Sequence, residues 1–407
     1  MFQWFQNKSK RTKTRANSRP AILSVRSGMA SRDLSQSYWN LCQEGYGKNS
    51  IVYRAINVIA HNLASVVWQI PNNWCPKLQK HWQKVLSKPN PSQSWSSFIE
   101  TVTSYLLLSG NTYIERYTCP DTGRMELYPL RPDRVAVVPG PHGIPKAFQY
   151  EVEGRKRIIP VNAETGASNI LHIKFFHPHN DWYGLSPLQA AALAIDQANA
   201  MGQHNISLLN NGGRPTGALV MKQAEHSLPL TEEQREQLRQ ELNDAYGGTG
   251  QAGKMMVLEG DLDWREMGMS PRDMDFLTGK QMAAREVAQT FGVPPMLVGV
   301  PGDATFANYK EARFHLWEDT IIPLLQRIMA EFSTWAGMNA EGFSFDAEKI
   351  SALTFRRESI WERLQKADFL TTNEKRAAVG YGPLEKSAVT DSEQTINRNG
   401  EDTNATH

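Results

Sequence analysis

The sequence predicts an α+β fold, and three stretches carry that expectation. From Asn49 to Val66, apolar residues recur at the helical period (Val52, Ala55, Ile56, Ile59, Leu63, Val66), with Asn49 or Ser50 as N-cap. Residues 111–176 hold the strand-like runs TYIERYT, MELYPL, RVAVVP, AFQYEV, RIIPV and NILHIKFF. Turn chemistry separates them at Asp121-Thr-Gly123, Pro139-Gly-Pro-His-Gly143, Glu153-Gly154 and Thr165-Gly166. Long helical patterns then return between Pro187 and Trp335.

Taken in order, residues 1–45 are polar, basic and patternless, and read as a disordered arm. The sharper alternative is an arm that touches nucleic acid or a partner protein. After the first helix, the Pro-, Lys- and Trp-rich residues 71–93 read as a loop. A second helix from about Ser94 to Leu108 buries Trp95, Phe98, Val102 and Tyr105. The strands follow as an antiparallel patch against these helices. Gly184-Leu-Ser-Pro187 opens the next helix, with Ser186 as cap and Pro187 in the first turn, running to about Asn211. At about 1.5 Å per residue it is ~40 Å long. Ala190, Ala191, Ala192, Ala194, Ala198, Ala200 and Gly202 make it thin, and Asp196 is its only formal charge. Such a helix is expected to pack against copies of itself or against residues 271–291, an ordinary buried helix being the alternative.

Asn210-Asn-Gly-Gly213 begins an insert: a strand at 216–221, a charged helix from Leu230-Thr231 to Tyr246, and strands at 254–258 and 262–267. Ser270, Pro271 and Asp273 start a further helix with Met274, Leu277, Met282, Val287 and Phe291 on one side. Gly292 and Pro294-Pro295 stop it. The run from Met296 to Asn308 is apolar yet broken by Gly299, Pro301 and Gly302. A long helix follows from near Asn308, with Tyr309, Ala312, Leu316, Leu324, Ile328 and Phe332 on one side and a kink at Pro323. The chain closes with a strand-like FSFD, a helix over 357–369 carrying Ile360, Leu364 and Phe369, a capped helix from Leu370-Thr-Thr-Asn-Glu-Lys-Arg376 to Gly380-Tyr-Gly-Pro383, and a polar tail.

Composition bounds the function. The 407 residues suffice for two or three globular units, and 40% hydrophobic content is ordinary for a protein with a buried core. No apolar run approaches the ~18 residues a bilayer span needs. MFQWFQNKSKRTKTR has no hydrophobic stretch behind its charges, so a secretory signal is not expected. Cys42, Cys75 and Cys119 are widely spaced without CxxC pairing, which argues against a disulfide framework or zinc site and for a reducing cytoplasm. Residues 1–20 carry +6 and residues 391–407 carry −3; taking both from the chain's +2 leaves −1 for the body. That overall balance is not the composition expected of a protein that grips DNA, because affinity for phosphate comes from concentrated Lys and Arg.

Chemical motifs are weak. Gly248-Thr-Gly-Gln-Ala-Gly253-Lys254 matches GxxxxGK, but Met255 lacks the hydroxyl that would hold magnesium, and helix precedes while strand follows, the reverse of a phosphate-binding loop. His172, His177, His179 and Asp181 lack a tetrahedral partner set, and read as surface or turn histidines. No GxSxG serine or flanked nucleophilic cysteine is present. Neither catalysis nor a cofactor or metal is expected. The eleven tryptophans are spread through every segment, which favours packing over base stacking.

Several stretches, in order, resemble the portal proteins of tailed double-stranded-DNA bacteriophages, in the short type of phages, prophages and gene-transfer particles. They are YGKNSIVYRAINVIAHNLASV, GNTYIERY, LYPLRPDRV, ILHIKFFHP with GLSPLQAA, NNGGRPTG, AGKMMVLEGDLDW, MSPRDMDFL and FGVPPMLVGVPGDATFANYKEARFHLWEDTIIPLL. The resemblance covers roughly residues 40–385; the N-terminal arm and the short crown depart from it.

The resemblance implies a ring oligomer, usually of twelve subunits, at one capsid vertex of the virion, assembled in the bacterial host cytoplasm. Its parts would be an arm (1–45), wing (46–184), stem helix (185–212), clip (213–269), second stem helix (270–292), tunnel loop (293–308), wing return (309–356), crown (357–386) and disordered tail (387–407). The tunnel loop, with Gly299, Pro301, Gly302, Asp303, Ala304, Thr305, Phe306 and Asn308, would face double-stranded DNA in the channel. The acidic clip residues Glu232, Glu233, Glu236 and Glu241 would face the terminase large subunit and later the head–tail adaptor. The major capsid protein or scaffold would be a further partner, and no membrane is involved. A ring-forming adaptor without DNA threading is the alternative, and an enzyme using the near-P-loop or histidine loop a further one.

Overall fold

The computed structural model describes residues 38–120, 123–210, 217–221, 231–233, 236–237, 240, 262–266, 276–302, 306–337, 342–379, 382 and 384. The chain divides into two compact units, Met1–Phe345 and Asp346–His407.

The first unit opens inside the segment expected to be a patternless arm. Residues 38–40 are helical and Leu41–Gly47 continue as a π-helix. Gly45 and Gly47 are poor helix formers, so local preference hides this turn. Packing holds it instead: Leu41 and Glu44 are buried, Lys48 pairs with Glu44 at 2.7 Å, and the Gly45 Cα sits under Leu188. Helix α1, Ser50–Ala64, follows as expected, with the Asn49 side chain accepting from the N–H groups of Ile51 and Val52.

A short strand β1 (Trp68–Gln69) leads to helix α2, Pro76–Ser87, in place of the expected loop over 71–93. Pro76 sits at the first helical position, where its missing N–H costs nothing. Only Trp82 and Val85 are buried on it, so its apolar stripe is too narrow to stand out from sequence. Helix α3, Trp95–Ser109, is capped by Ser94 and ends on Gly110 in the left-handed region.

The β-rich stretch forms two three-stranded antiparallel sheets rather than one patch. Strands β2 (Asn111–Thr118), β3 (Met125–Leu130), β4 (Val135–Val138), β5 (Ala147–Val152), β6 (Arg155–Pro160) and β7 (Ile170–Lys174) pair in the orders β3-β2-β7 and β4-β5-β6. Tyr113 faces Leu130 on one side and His172 on the other. The sheets share a core of Tyr113, Leu130, Val135, Val137, Phe148, Ile159 and Ile170.

The chain turns from sheet to the Ala-rich helix through a polar junction. Asn111 Oδ1 accepts from the Gly184 N–H at 2.8 Å and lies 3.1 Å from His172 Nε2. Gly110 and Gly184 touch backbone to backbone: a Cβ on Gly184 would lie 2.2 Å from the Gly110 carbonyl. Ser186 is fully buried, donates to the Leu107 and Leu108 carbonyls, and forms a capping box with Gln189. The helix it starts is broken: α4 (Pro187–Ala190) stops at Ala191, and α5 (Ala192–Asn210) resumes. The insert shows β8 (Gly217–Met221) paired antiparallel with β9 (Leu262–Glu266). The expected strand at 254–258, the near-P-loop at 248–254 and the Ser270 cap lie outside the described residues.

Helix α6, Phe276–Thr290, packs on α5: a Cβ on Gly279 would lie 2.7 Å from the Met201 methyl. Of the two packing partners expected for the Ala-rich helix, the intramolecular one is present. The buried stripe of α6 and its end is Ala283, Val287, Ala288 and Phe291; Met282 is 64% exposed and stands off it. The last long helix comes in three parts: α7 (Phe306–His315), a π-helical stretch Leu316–Ile321, and α8 (Ile322–Trp335) with Pro323 in its first turn. Ile321 at the end of the π stretch is buried, as are Leu325, Ile328, Met329, Phe332 and Ser333 beyond it, whereas Tyr309 is 47% exposed and Leu324 only half-buried. A π turn holds one extra residue, and beside it burial falls on Leu325 instead of Leu324, while Ala312, Leu316, Ile328 and Phe332 are buried as expected.

Strand β10 (Ser344–Phe345) pairs with β1, closing an aromatic cluster. Trp68 meets Trp95, Phe332 and Phe343 at 5.0, 5.3 and 5.4 Å, and Phe343 also meets Trp74 and Trp82. These tryptophans pack, as expected, whereas Trp39 and Trp361 stay exposed.

In the second unit, α9 spans Thr354–Gln365, earlier than the expected 357–369, and Phe369 lies beyond it, 87% exposed. Helix α10, Thr372–Ala378, carries the Thr371–Glu374 capping box that its sequence announced. Cys42, Cys75 and Cys119 are free thiols. Among the described residues no helix is long and apolar enough to cross a membrane.

Candidate channel-loop site

The loop between α6 and α7 is built on a helix stop. After Thr290, Phe291 is buried and Gly292 takes φ +67°. The Gly292 N–H donates to the Gln289 carbonyl and the Val293 N–H to Ala288, both at 2.9 Å, which is the Schellman arrangement. Thr320, in the π stretch, donates its hydroxyl to the Gly292 carbonyl at 2.7 Å. The stop is thereby tied to the helix that leaves the loop.

Beyond it, Pro295–Val298 form a 3-10 turn, and Gly299 follows at φ +85° in open space. Val293, Val298 and Val300 are buried. The Val300 N–H returns to the Pro295 carbonyl at 3.1 Å. Arg285 of α6 then donates to the Pro301 carbonyl at 2.8 Å. No sequence pattern had marked Arg285, because it lies sixteen residues upstream of its partner.

Of the residues expected in the channel loop, Gly299, Pro301 and Gly302 are exposed and adjacent. Asp303, Ala304 and Thr305 lie outside the described residues. Phe306 and Asn308 belong to the first turn of α7, which starts two residues earlier than expected, and Asn308 is exposed. In the insert, Glu232, Glu233 and Glu236 are helical and exposed, whereas Glu241 lies outside the described residues.

The histidine loop does not gather ligands. His172 is half-buried in β7, stacked on Tyr113 at 4.3 Å, and desolvation first, then Lys174, lowers its pKa to about 3. It packs against Tyr113 and Phe148 of the sheet core and is not the surface or turn histidine expected. The His179 N–H donates to His177 Nδ1, and the Asp181 carbonyl accepts from Lys174. Among the described residues no group of three or more His, Cys, Asp or Glu could hold a metal ion.

A helix stop, an exposed crest and helices on both flanks make this a presented loop. Comparison with known proteins makes the class specific. The chain belongs to the phage portal protein family, whose model matches residues 50–380. It is 26% identical over 305 residues to the portal protein of Enterobacteria phage HK97, covering 73% of this chain and 68% of that one. Among solved structures, the neck of an empty gene transfer agent particle, computed with C6 symmetry, contains a chain 39% identical, with TM-score 0.67 over 89% of this chain and 97% of that one. The neck of the native particle, computed with C12 symmetry, gives 39% identity and TM-score 0.65 over 88% and 96%. The chain is a structural portal subunit of a capsid vertex, and its family is a structural one.

Proposed function

We propose that the chain forms a closed ring of twelve copies through which double-stranded DNA is packaged by the large terminase subunit and later ejected. The observation that carries this reading is the loop from Val293 to Gly302. Its base is buried at Val293, Val298 and Val300 and clasped by Arg285, while its crest at Pro301 and Gly302 is exposed. From Met296 to Asn308 the only formal charge is Asp303. An anchored base under an almost uncharged crest suits a surface that slides along phosphate without holding it.

The likeness to neck structures with twelvefold and sixfold symmetry supports the ring. So does α5, where no residue from 196 to 207 is fully buried and Ile206 is 60% exposed. A neighbouring copy would cover that surface, and contacts that close on themselves give rings. In this reading residues 46–184 and 309–356 form the wing and meet the major capsid protein or scaffold, while 185–212 and 270–292 form the stem. The clip, 213–269, presents Glu232, Glu233, Glu236 and Glu241 to the terminase and then to the head–tail adaptor. The crown is 357–386, and the ring resides at the particle's vertex after assembly in the host cytoplasm.

Electron micrographs of the purified chain test the ring, with discrete closed particles bearing an open channel expected. A monodisperse monomer across concentration overturns it, and a ring without an open channel leaves the adaptor reading in its place.

A further inference from the structure

Between Gly45 and Ile99 the sequence holds no aspartate or glutamate, yet it holds Lys48, Arg54, Lys77, Lys80, Lys84 and Lys88. Lys77, Lys80 and Lys84 lie on α2 and Lys88 is its C-cap residue, at spacings of three, four and four. That spacing places them along one side of a helix. Trp82 and Val85, 2% and 1% exposed, take the opposite side into the core, and all four lysines are exposed. At about 1.5 Å per residue the ridge is ~16 Å long.

The β2–β3 hairpin adds to it. Arg124 donates from its guanidinium to the Lys88 carbonyl at 2.6 Å, so hairpin and helix end are joined. Between them lies a cleft of about 720 Å³, lined by Lys80, His81, Lys84, Lys88 and Arg124. Glu126, next along the hairpin, is buried and accepts from the Tyr128 hydroxyl at 2.7 Å. Among the described residues, no carboxylate lies within ion-pair distance of the four lysines.

We infer that this ridge and cleft dock the phosphate backbone of duplex nucleic acid, at a place separate from the channel loop. Charge selects the partner class, because four uncompensated cations along one edge are an electrostatic footprint for a polyanion. The residue type then separates nucleic acid from an acidic protein. Protein interfaces are enriched in aromatic residues and Arg and depleted in Lys. Here the aromatic residue points inward and the outward cations of the helix are all lysines. Lysine is a compact, hydrated point charge, suited to a phosphate without a fixed fork geometry. Contacts of this kind position a duplex without reading its sequence. The inference does not rest on DNA threading, since ridge and loop are carried by different elements.

The test uses the full chain and covalently closed circular duplex DNA, which cannot thread a closed ring. Binding is followed between low and moderate salt for the wild type and for a variant carrying Lys77→Gln, Lys80→Gln, Lys84→Gln and Lys88→Gln. The basic N-terminal arm is the same in both, so the difference reads the ridge. With about 0.9 counterions released per neutralised phosphate, the slope of log affinity against log salt falls by roughly 3 to 4, and affinity falls at least about tenfold at low salt. Two unrelated DNA sequences bind alike. Thermal midpoint and ring formation stay at wild-type values, because none of the four lysines is buried. A chain with loop residues 302–306 shortened binds circular DNA as the wild type does, which keeps this outcome distinct from failure of the channel reading. Unchanged slope and affinity in the four-lysine variant overturn the inference. So does ridge-dependent capture of polyglutamate with no ridge-dependent capture of DNA, which would make the partner an acidic protein.

Discussion

His172 sets a limit on the acid stability of the sheet unit. Half-buried, its ring stacks on Tyr113 and lies 3.1 Å from Asn111 Oδ1, so the neutral form with hydrogen on Nε2 fits the site. Burial, with Lys174 nearby, brings its pKa from 6.5 to about 3. Above about pH 6.5 both folded and unfolded chains hold the ring neutral, and its contribution is fully present. As pH falls below that value the unfolded chain takes up a proton that the folded chain refuses until about pH 3. Stability is lost by ~1.4 kcal/mol per pH unit across this window, or about 3 kcal/mol between pH 6.5 and 4. That is a large share of the ~5–15 kcal/mol by which a domain is stable. The comparison variant is His172→Gln, whose side-chain amide can donate to Asn111 and does not titrate. Urea denaturation of both proteins at pH 7, 5.5 and 4 should show the wild type losing about 3 kcal/mol more than the variant on acidification. The carboxylates common to both cancel in that difference. Parallel pH curves for the two proteins would refute the reasoning, because the histidine would then titrate in the fold as it does in the unfolded chain.

Gly292→Ala forces a side chain into φ +67° and places a Cβ 2.6 Å from the Thr320 hydroxyl. The left-handed strain and the displaced hydrogen bond together cost about 2–3 kcal/mol, read as a lower thermal midpoint; an unchanged midpoint counts against the clasp. Gly299→Ala, at φ +85° in open space, costs about 1 kcal/mol, while Gly302→Ala, with only the Arg285 guanidinium at 3.5 Å, leaves stability near wild type. Rings of both variants, and of a chain shortened over 302–306, should assemble but package or retain less DNA per particle. Normal packaging in correctly assembled rings removes the loop from the channel. Reversing Glu233, Glu236 and Glu241 to Lys should leave ring yield intact and weaken terminase docking most at low salt, where charge effects are least screened. Equal docking at low salt would reject an electrostatic clip surface.

What was legible in the sequence, and what was not, divides along a physical line. Caps and stops were legible because they are local chemistry: Asn49, Ser94, Ser186, the Thr371–Glu374 box and Gly292 all act within a few residues of themselves. The paired strands were legible because strand-like runs bounded by turn residues are also local. The π stretches were not, since a wide turn is held by tertiary contact and leaves no composition signature. Across Leu316–Ile321 the expected Ala312, Leu316, Ile328 and Phe332 are buried, and only next to the wide turn does burial fall on Leu325 instead of Leu324. The same cause hid the turn around Gly45, where packing under Leu188 overrides two glycines. Helix α2 was hidden differently. Its two buried positions, Trp82 and Val85, are too few to show a period, and the residues that obscured it as a loop, its lysines, are the ones that give its outer face a purpose. The candidate loop shows the same division, for its glycines and prolines announce an irregular crest, while the Arg285 clasp and the Thr320 tie depend on helices brought together only by the fold. Long-range hydrogen bonds of that kind decide whether an apolar, broken stretch is a limp connection or a presented surface, and here they make it a presented surface.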